Sequence, residues 1–181
     1  MARTQALSHL SSTGQVRMVD VGGKLPTQRM ARARAEVKLG PRIAAALKRT
    51  GAIAKGNVLE TARIAGILAA KQTATLIPMC HTVPLDVLTV NTSWHGATLR
   101  IEATARCTGR TGVEMEALVA ASVAALTVYD MCKSADKGIV LREIRLLEKR
   151  GGKSGTWRKE KAEGQEGQEA RGKGARGKKA R

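Results

Sequence analysis

"RMARARAEVKLG", residues 29–40, alternates strictly between small or aliphatic side chains and charged ones. Ala31, Ala33, Ala35, Val37 and Leu39 fall on one side, and Arg32, Arg34, Glu36 and Lys38 on the other. A period of two over that length predicts a strand with one face in a core and the other toward water. Such a strand needs partners beside it and a cover over its alanines, and the flanking sequence supplies both.

Gly40-Pro41 ends the strand, and "PRIAAALKR" (41–49) reads as a short helix with Pro41 in its first turn. "GNVLETARIAGILAAKQ" (56–72) is a second helix, opened by Asn57 as N-cap with Glu60 three residues on in a capping-box position. "LDVLTVNTSW" (85–94) and "ATLRIEATARC" (97–107) are β-rich and meet at His95-Gly96 as a hairpin. "GVEMEALVAASVAALTVYDMCKSA" (112–135) is a long helix, and "GIVLREIRLLEK" (138–149) is a last strand. The order β-α-β-β-α-β, with an extra helix in the first crossover, predicts an α+β domain. It is the split βαβ arrangement, a four-stranded antiparallel sheet with helices on one face.

The limits of that domain follow from composition. Residues 1–14 are rich in Ser and Thr and are expected to be flexible, with a single catalytic domain over 15–149. Residues 150–181 hold eleven Lys/Arg against four Glu and almost no apolar residues, which predicts a disordered tail. Cutting the chain after Lys153 is expected to leave activity intact. "RGGKSG" (150–155) misses the Walker A pattern, because Leu147 stands where that motif needs glycine.

Net charge is +17, and the body stays basic without its tail, so anions such as phosphates are expected partners. Aromatic content of 2% makes this a core of Ala, Val, Leu and Ile, a thin core that favours burial between subunits. Cys80, Cys107 and Cys132 form no CxxC pair, which fits a reducing cytoplasm and predicts no disulfide framework and no structural zinc. The N-terminal residues lack the apolar stretch of a signal peptide. The uncharged run Ala117–Tyr129 is thirteen residues, too short to span a bilayer.

Within the long helix, no charge lies between Glu116 and Asp130, which predicts burial on all sides. Those two carboxylates are about 21 Å apart along the axis at ~1.5 Å per residue. They cannot flank one bond within one chain, so a site using both must be shared between subunits. Asp130 and Lys133, three apart, share a face and read either as a surface ion pair or as an acid/base pair. Apolar neighbours are expected to lower the Lys133 pKa toward neutrality, with Asp130 opposing that shift. Lys55, just ahead of the second helix, is either a solvated loop lysine or a phosphate ligand at a helix start. In "LIPMCHTVPL" (76–85), adjacent Cys80 and His81 suit neither a metal site nor a Cys-His nucleophile, leaving substrate contact or proton transfer by His81, or else a core cysteine beside a satisfied histidine.

Several segments together resemble one family: "MVDVGGK", "KGNVLETARIAGILAAKQT", "LIPMCH", "TGVEMEALVAASVAALTVYDMCKS" and "RLLEKRGGKSG". They are similar to cyclic pyranopterin monophosphate synthases of molybdenum cofactor biosynthesis, over roughly residues 12–155. The resemblance implies a ferredoxin-like subunit in a homohexamer, a trimer of dimers with sites at the dimer interface. It implies a lyase that converts 3′,8-cyclo-7,8-dihydroguanosine 5′-triphosphate to cyclic pyranopterin monophosphate and releases diphosphate, with no metal or other cofactor. By motif, Asp130, Lys133 and Lys55 fall on catalytic positions, and Met79, Cys80, His81, Met115 and Glu116 on substrate-binding ones. One departure stands out: the family reads Cys-His-Pro-Leu where this chain reads Cys80-His81-Thr82-Val83-Pro84-Leu85.

Two other classes compete. A nucleic-acid module would use strand 29–39 and the tail as its basic surface, but single-strand binders stack bases on aromatic side chains. Here three aromatics are scattered, and no specific nucleic acid is expected. A non-catalytic assembly protein would have no need of Asp130, Lys133 and Lys55.

Overall fold

The computed structural model describes residues 14–159; the expectations for residues 1–13 and 160–181 lie outside them. The chain runs β1 (Thr27–Lys38), α1 (Pro41–Thr50), β2 (Ala52–Ile53), β3 (Gly56–Asn57), α2 (Val58–Lys71) and α3 (Thr73–Leu76). It continues through β4 (Val87–His95), β5 (Thr98–Gly109), α4 (Glu114–Cys132), β6 (Val140–Arg150) and β7 (Trp157–Arg158). Fold class is α+β, an antiparallel sheet with helices packed on it.

The alternation at 29–40 is the spine of that sheet. Ala31, Ala33, Ala35 and Val37 have no exposure at all. β1 pairs antiparallel with β5 on one side and β6 on the other, giving the order β4-β5-β1-β6-β7. Ala103 and Ala105 on β5 lie opposite Ala33 and Ala31, so the inner face is floored with methyl groups. The opposite face is charged, and its side chains pair across strands: Arg34 with Glu102 at 2.5 Å and Arg100 with Glu36 at 2.9 Å.

Three expectations are corrected here. The sheet has five strands among the described residues rather than four, because β7 adds to its edge through pairs Glu148–Arg158 and Lys149–Trp157. Residues 150–159 therefore belong to the folded body and not to the expected tail, held by an ion pair that composition does not reveal. The long helix is also not covered all round. The sheet buries one face and α2 another, leaving Leu126 of α4 52% exposed; Ile64 and Leu68 of α2 are likewise bare, at 52% and 54%. By length and composition α4 could cross a membrane, yet half of it is buried, as in a core helix.

Helix starts follow local chemistry. Asn57 caps α2 by accepting from the Glu60 N–H at 3.0 Å. Only half of the capping box forms, since the Glu60 carboxylate turns to Arg63 at 3.2 Å. α1 lacks a side-chain cap of its own. Asp136, just beyond α4, instead accepts from the Gly40 N–H at 2.7 Å and ties the end of α4 to the start of α1.

α2 and α4 cross where Gly66 meets the second helix. A Cβ there would lie 2.7 Å from the Ala120 carbonyl oxygen and 3.3 Å from Ala124 Cβ and Val90 Cγ2. Substituting Gly66→Val is expected to destabilise the fold by about 1–3 kcal/mol despite the better helix propensity, because the helices must part. Urea denaturation with an unchanged slope and a lower midpoint checks this.

Candidate active site

The N-terminal end of α4 meets two loops. The segment Val19–Lys24 is turned by the Asp20 side chain, which accepts from the Gly22 N–H at 2.8 Å, and by Lys24 N–H to Val21 oxygen at 3.1 Å. The segment after α3 is turned by Cys80 N–H to Ile77 oxygen at 3.0 Å. Together with the first turn of α4 they enclose a cavity of about 360 Å³. Met79, Cys80, His81, Met115 and Glu116 all line it, so five residues from two distant motifs share one chamber. Val83 lines it too, so the Thr82-Val83 departure leaves Cys80 and His81 facing this space.

Glu116 is the buried acid of the chamber, at 4% exposure. Burial raises its pKa above the usual carboxylate range, a backbone hydrogen bond partly opposes this, and the nearby Glu114 charge adds to the rise. The native state therefore holds this proton to higher pH than the unfolded chain does. Stability attributable to the site falls as pH rises from the ordinary glutamate range through the raised native value. Glu116→Gln is expected to flatten that fall, a difference read by thermal denaturation between pH 4 and 7.

A second cavity, about 370 Å³, adjoins the first and shares Lys24, Thr111, Gly112 and Glu114 with it. Arg29, Arg110, Lys149, Arg150 and Lys153 supply five more cations to its wall. Arg29 is pinned by donating from Nε to the Gly109 carbonyl oxygen and from Nη2 to that of Arg110, each at 3.4 Å. Lys149 reaches Glu114 at 3.3 Å and Ser154 at 3.2 Å. Six cations line the recess against one carboxylate, and with the Arg150 guanidinium taken by Glu148 the balance still favours anions.

The other end of α4 carries a separate cluster. Lys133 Nζ donates to Asp130 Oδ1 at 2.6 Å, and both side chains are exposed. Lys55 sits exposed at the tip of the β2–β3 turn, near enough that its charge helps to lower the Asp130 carboxyl. The larger cause of that lowering is the hydrogen bond from Lys133. Lys133 departs from expectation: the same hydrogen bond raises its pKa and outweighs desolvation, because within one subunit the amine stands in water. The chain thus brings its eight candidate residues into two groups, at opposite ends of one helix. Among the described residues, no group of three or more His, Cys, Asp or Glu side chains is placed to hold a metal ion.

The chamber with its buried acid, the polycationic recess beside it and the exposed Asp130–Lys133 ion pair at the far end of α4 are arranged as the parts of an enzyme subunit would be. Residues 18–152 match the family described as the MoaC family. The chain is 54% identical to cyclic pyranopterin monophosphate synthase of Bordetella avium over 84% of its own length and 94% of the relative's. The enzyme of that name from Novosphingobium aromaticivorans is 55% identical over 84% and 96%, and that from Chloroflexus aggregans 53% over 86% and 95%. The chain belongs to the MoaC family.

Proposed function

We propose that this protein is a lyase of molybdenum cofactor biosynthesis. It converts 3′,8-cyclo-7,8-dihydroguanosine 5′-triphosphate to cyclic pyranopterin monophosphate and diphosphate. The observation that carries this reading is the adjacency of the two cavities at the start of α4, which share Lys24, Thr111, Gly112 and Glu114 as wall. One has the size and mixed lining for a purine-derived ring system, with His81 and Glu116 facing it. The other has the cations for a triphosphate. Closing a cyclic monophosphate breaks the anhydride bond between the α and β phosphates, and the same cations neutralise the departing diphosphate.

Asp130, Lys133 and Lys55 complete the site from a second subunit. The ~21 Å between Glu116 and Asp130 along α4 supports a shared site, as does the apolar surface left bare on α2 and α4. The subunit is read as ferredoxin-like, since its four long strands follow the order of that fold. The assembly is read as a homohexamer built as a trimer of dimers, working without metal or other cofactor in the cytoplasm. Lys133 enters as an ammonium and serves as proton donor, held by Asp130; Lys55 clamps phosphate. Incubating the protein with enzymatically made cyclo-dihydro-GTP is expected to yield diphosphate and the cyclic pterin by mass spectrometry. Unchanged substrate would overturn the reading.

A further inference from the structure

The recess for anions is closed on one side by the turn between β6 and β7, which carries Lys153 and Ser154. That turn holds no apolar anchor of its own. A side chain on Gly151 would run into the Gln28 carbonyl oxygen, and one on Gly152 into the Arg29 guanidinium, so the turn lies directly against β1. Both glycines have positive φ, 96° and 71°. Besides the backbone pairing of β6 with β7, what fixes the turn is on the other face of the sheet. Glu148, 4% exposed, accepts from Arg150 Nε at 2.6 Å and from Arg158 Nε at 2.8 Å, and Arg32 Nη2 lies 3.5 Å from its second oxygen. The carboxylate is screened from water by three guanidinium-bearing side chains rather than by apolar core.

The pleat links the two faces. Glu148 pairs in register with Arg32, whose side chain points away from the helices, and Lys149 with Ala31, whose side chain points toward them. Lys149 accordingly reaches α4 at Glu114 and the turn at Ser154. Arg150 and Arg158 bracket the turn, and one carboxylate holds both bracket ends. Without it, three like charges face each other at the base of the turn, and the bracket opens.

We propose that Glu148 is a positioning residue: by clasping Arg150 and Arg158 it holds the 151–156 turn, and with it Lys153, over the anion recess. This rests on the reading of that recess as the triphosphate site, yet it is testable apart from turnover. The full-length protein is titrated with inorganic tripolyphosphate, and amide hydrogen exchange is followed over residues 151–156. Glu148→Gln and Arg158→Ala, the latter altering an exposed side chain, are each expected to speed exchange in the turn. Each is expected to weaken tripolyphosphate binding about tenfold, a fold-change that Lys153→Ala matches. Lys153→Ala combined with Glu148→Gln is expected to be no weaker than either alone, since one acts through the other. A chain cut after Lys153 loses Arg158 together with half of the turn and β7, so the silent truncation expected from composition is revised: tripolyphosphate binding is expected to weaken at least as much as in Arg158→Ala. With cyclo-dihydro-GTP as substrate, Glu148→Gln is expected to raise KM while kcat stays within about twofold. Unchanged exchange in the turn, or fully additive losses in the double variant, would overturn the clasp. A wild-type chain that binds tripolyphosphate in this pattern but turns over no substrate would instead overturn the assigned reaction and leave the clasp standing.

Discussion

Lys133→Ala is expected to lower kcat by about three orders of magnitude while KM rises less than about threefold, the pattern of a lost proton donor. The reason lies in the pair geometry. The 2.6 Å hydrogen bond to Asp130 keeps Lys133 protonated and aimed, and its three-residue spacing puts both groups on one face of α4. Lys133→Arg keeps the charge but not the compact amine, which gives up a proton more easily than a guanidinium does, and is expected to rescue binding without rescuing kcat. Lys55→Ala separates the two roles, since a phosphate clamp contributes to both binding and turnover; its KM is expected to rise about tenfold with a smaller fall in kcat. Single-turnover and steady-state kinetics on the three variants check this. A large KM effect in Lys133→Ala with kcat intact would move Lys133 from chemistry to binding.

The second large effect is recovery rather than loss. Glu116→Ala and Asp130→Ala subunits are each expected to be inactive, and mixed assemblies of the two to be active. Across a two-fold interface a mixed pair holds one site with both lesions and one with neither. Random pairing of equal amounts therefore restores about one quarter of wild-type activity. Both variants should fold, since Glu116→Ala removes a desolvated carboxyl and Asp130 is a surface group. Co-expression with two affinity tags isolates mixed assemblies, and native mass spectrometry confirms them. Mixed particles as dead as their parents would show that each site is built within one chain.

How much of this was legible depends on how far each feature reaches along the chain. β1, α2, β5 and α4 announce themselves locally, through alternation, an Asn57 cap and an apolar run. β7 does not, because two residues become a strand only when Arg158 finds Glu148. The chamber was half legible: Met79–His81 and Met115–Glu116 carry unusual side chains in apolar surroundings, and folding brings them together. The anion recess was hidden, since lysine and arginine are ordinary surface residues in a chain of net charge +17. Only the register reveals it. The start of β1 and the ends of β5 and β6 fall at the same end of the antiparallel strands, which gathers Arg29, Arg110 and Arg150 from three distant parts of the sequence. The Lys133 shift failed for a different reason, as the apolar residues beside it in sequence point into the core while the amine points out.

The methyl-lined floor under α4 also limits how this protein can vary. Alanine has no χ1 to turn, so a layer of Ala31, Ala33, Ala103, Ala105, Ala117, Ala120, Ala121, Ala124 and Ala125 has no rotameric slack. An added methylene cannot be absorbed by a neighbour swinging aside and must push the helix off the sheet as a rigid rod. The chamber is anchored at one end of that rod and the Asp130–Lys133 pair at the other. A bulky replacement mid-layer would thus tilt both half-sites at once, and sequence drift in this layer should be coupled across strands and helix instead of proceeding one position at a time.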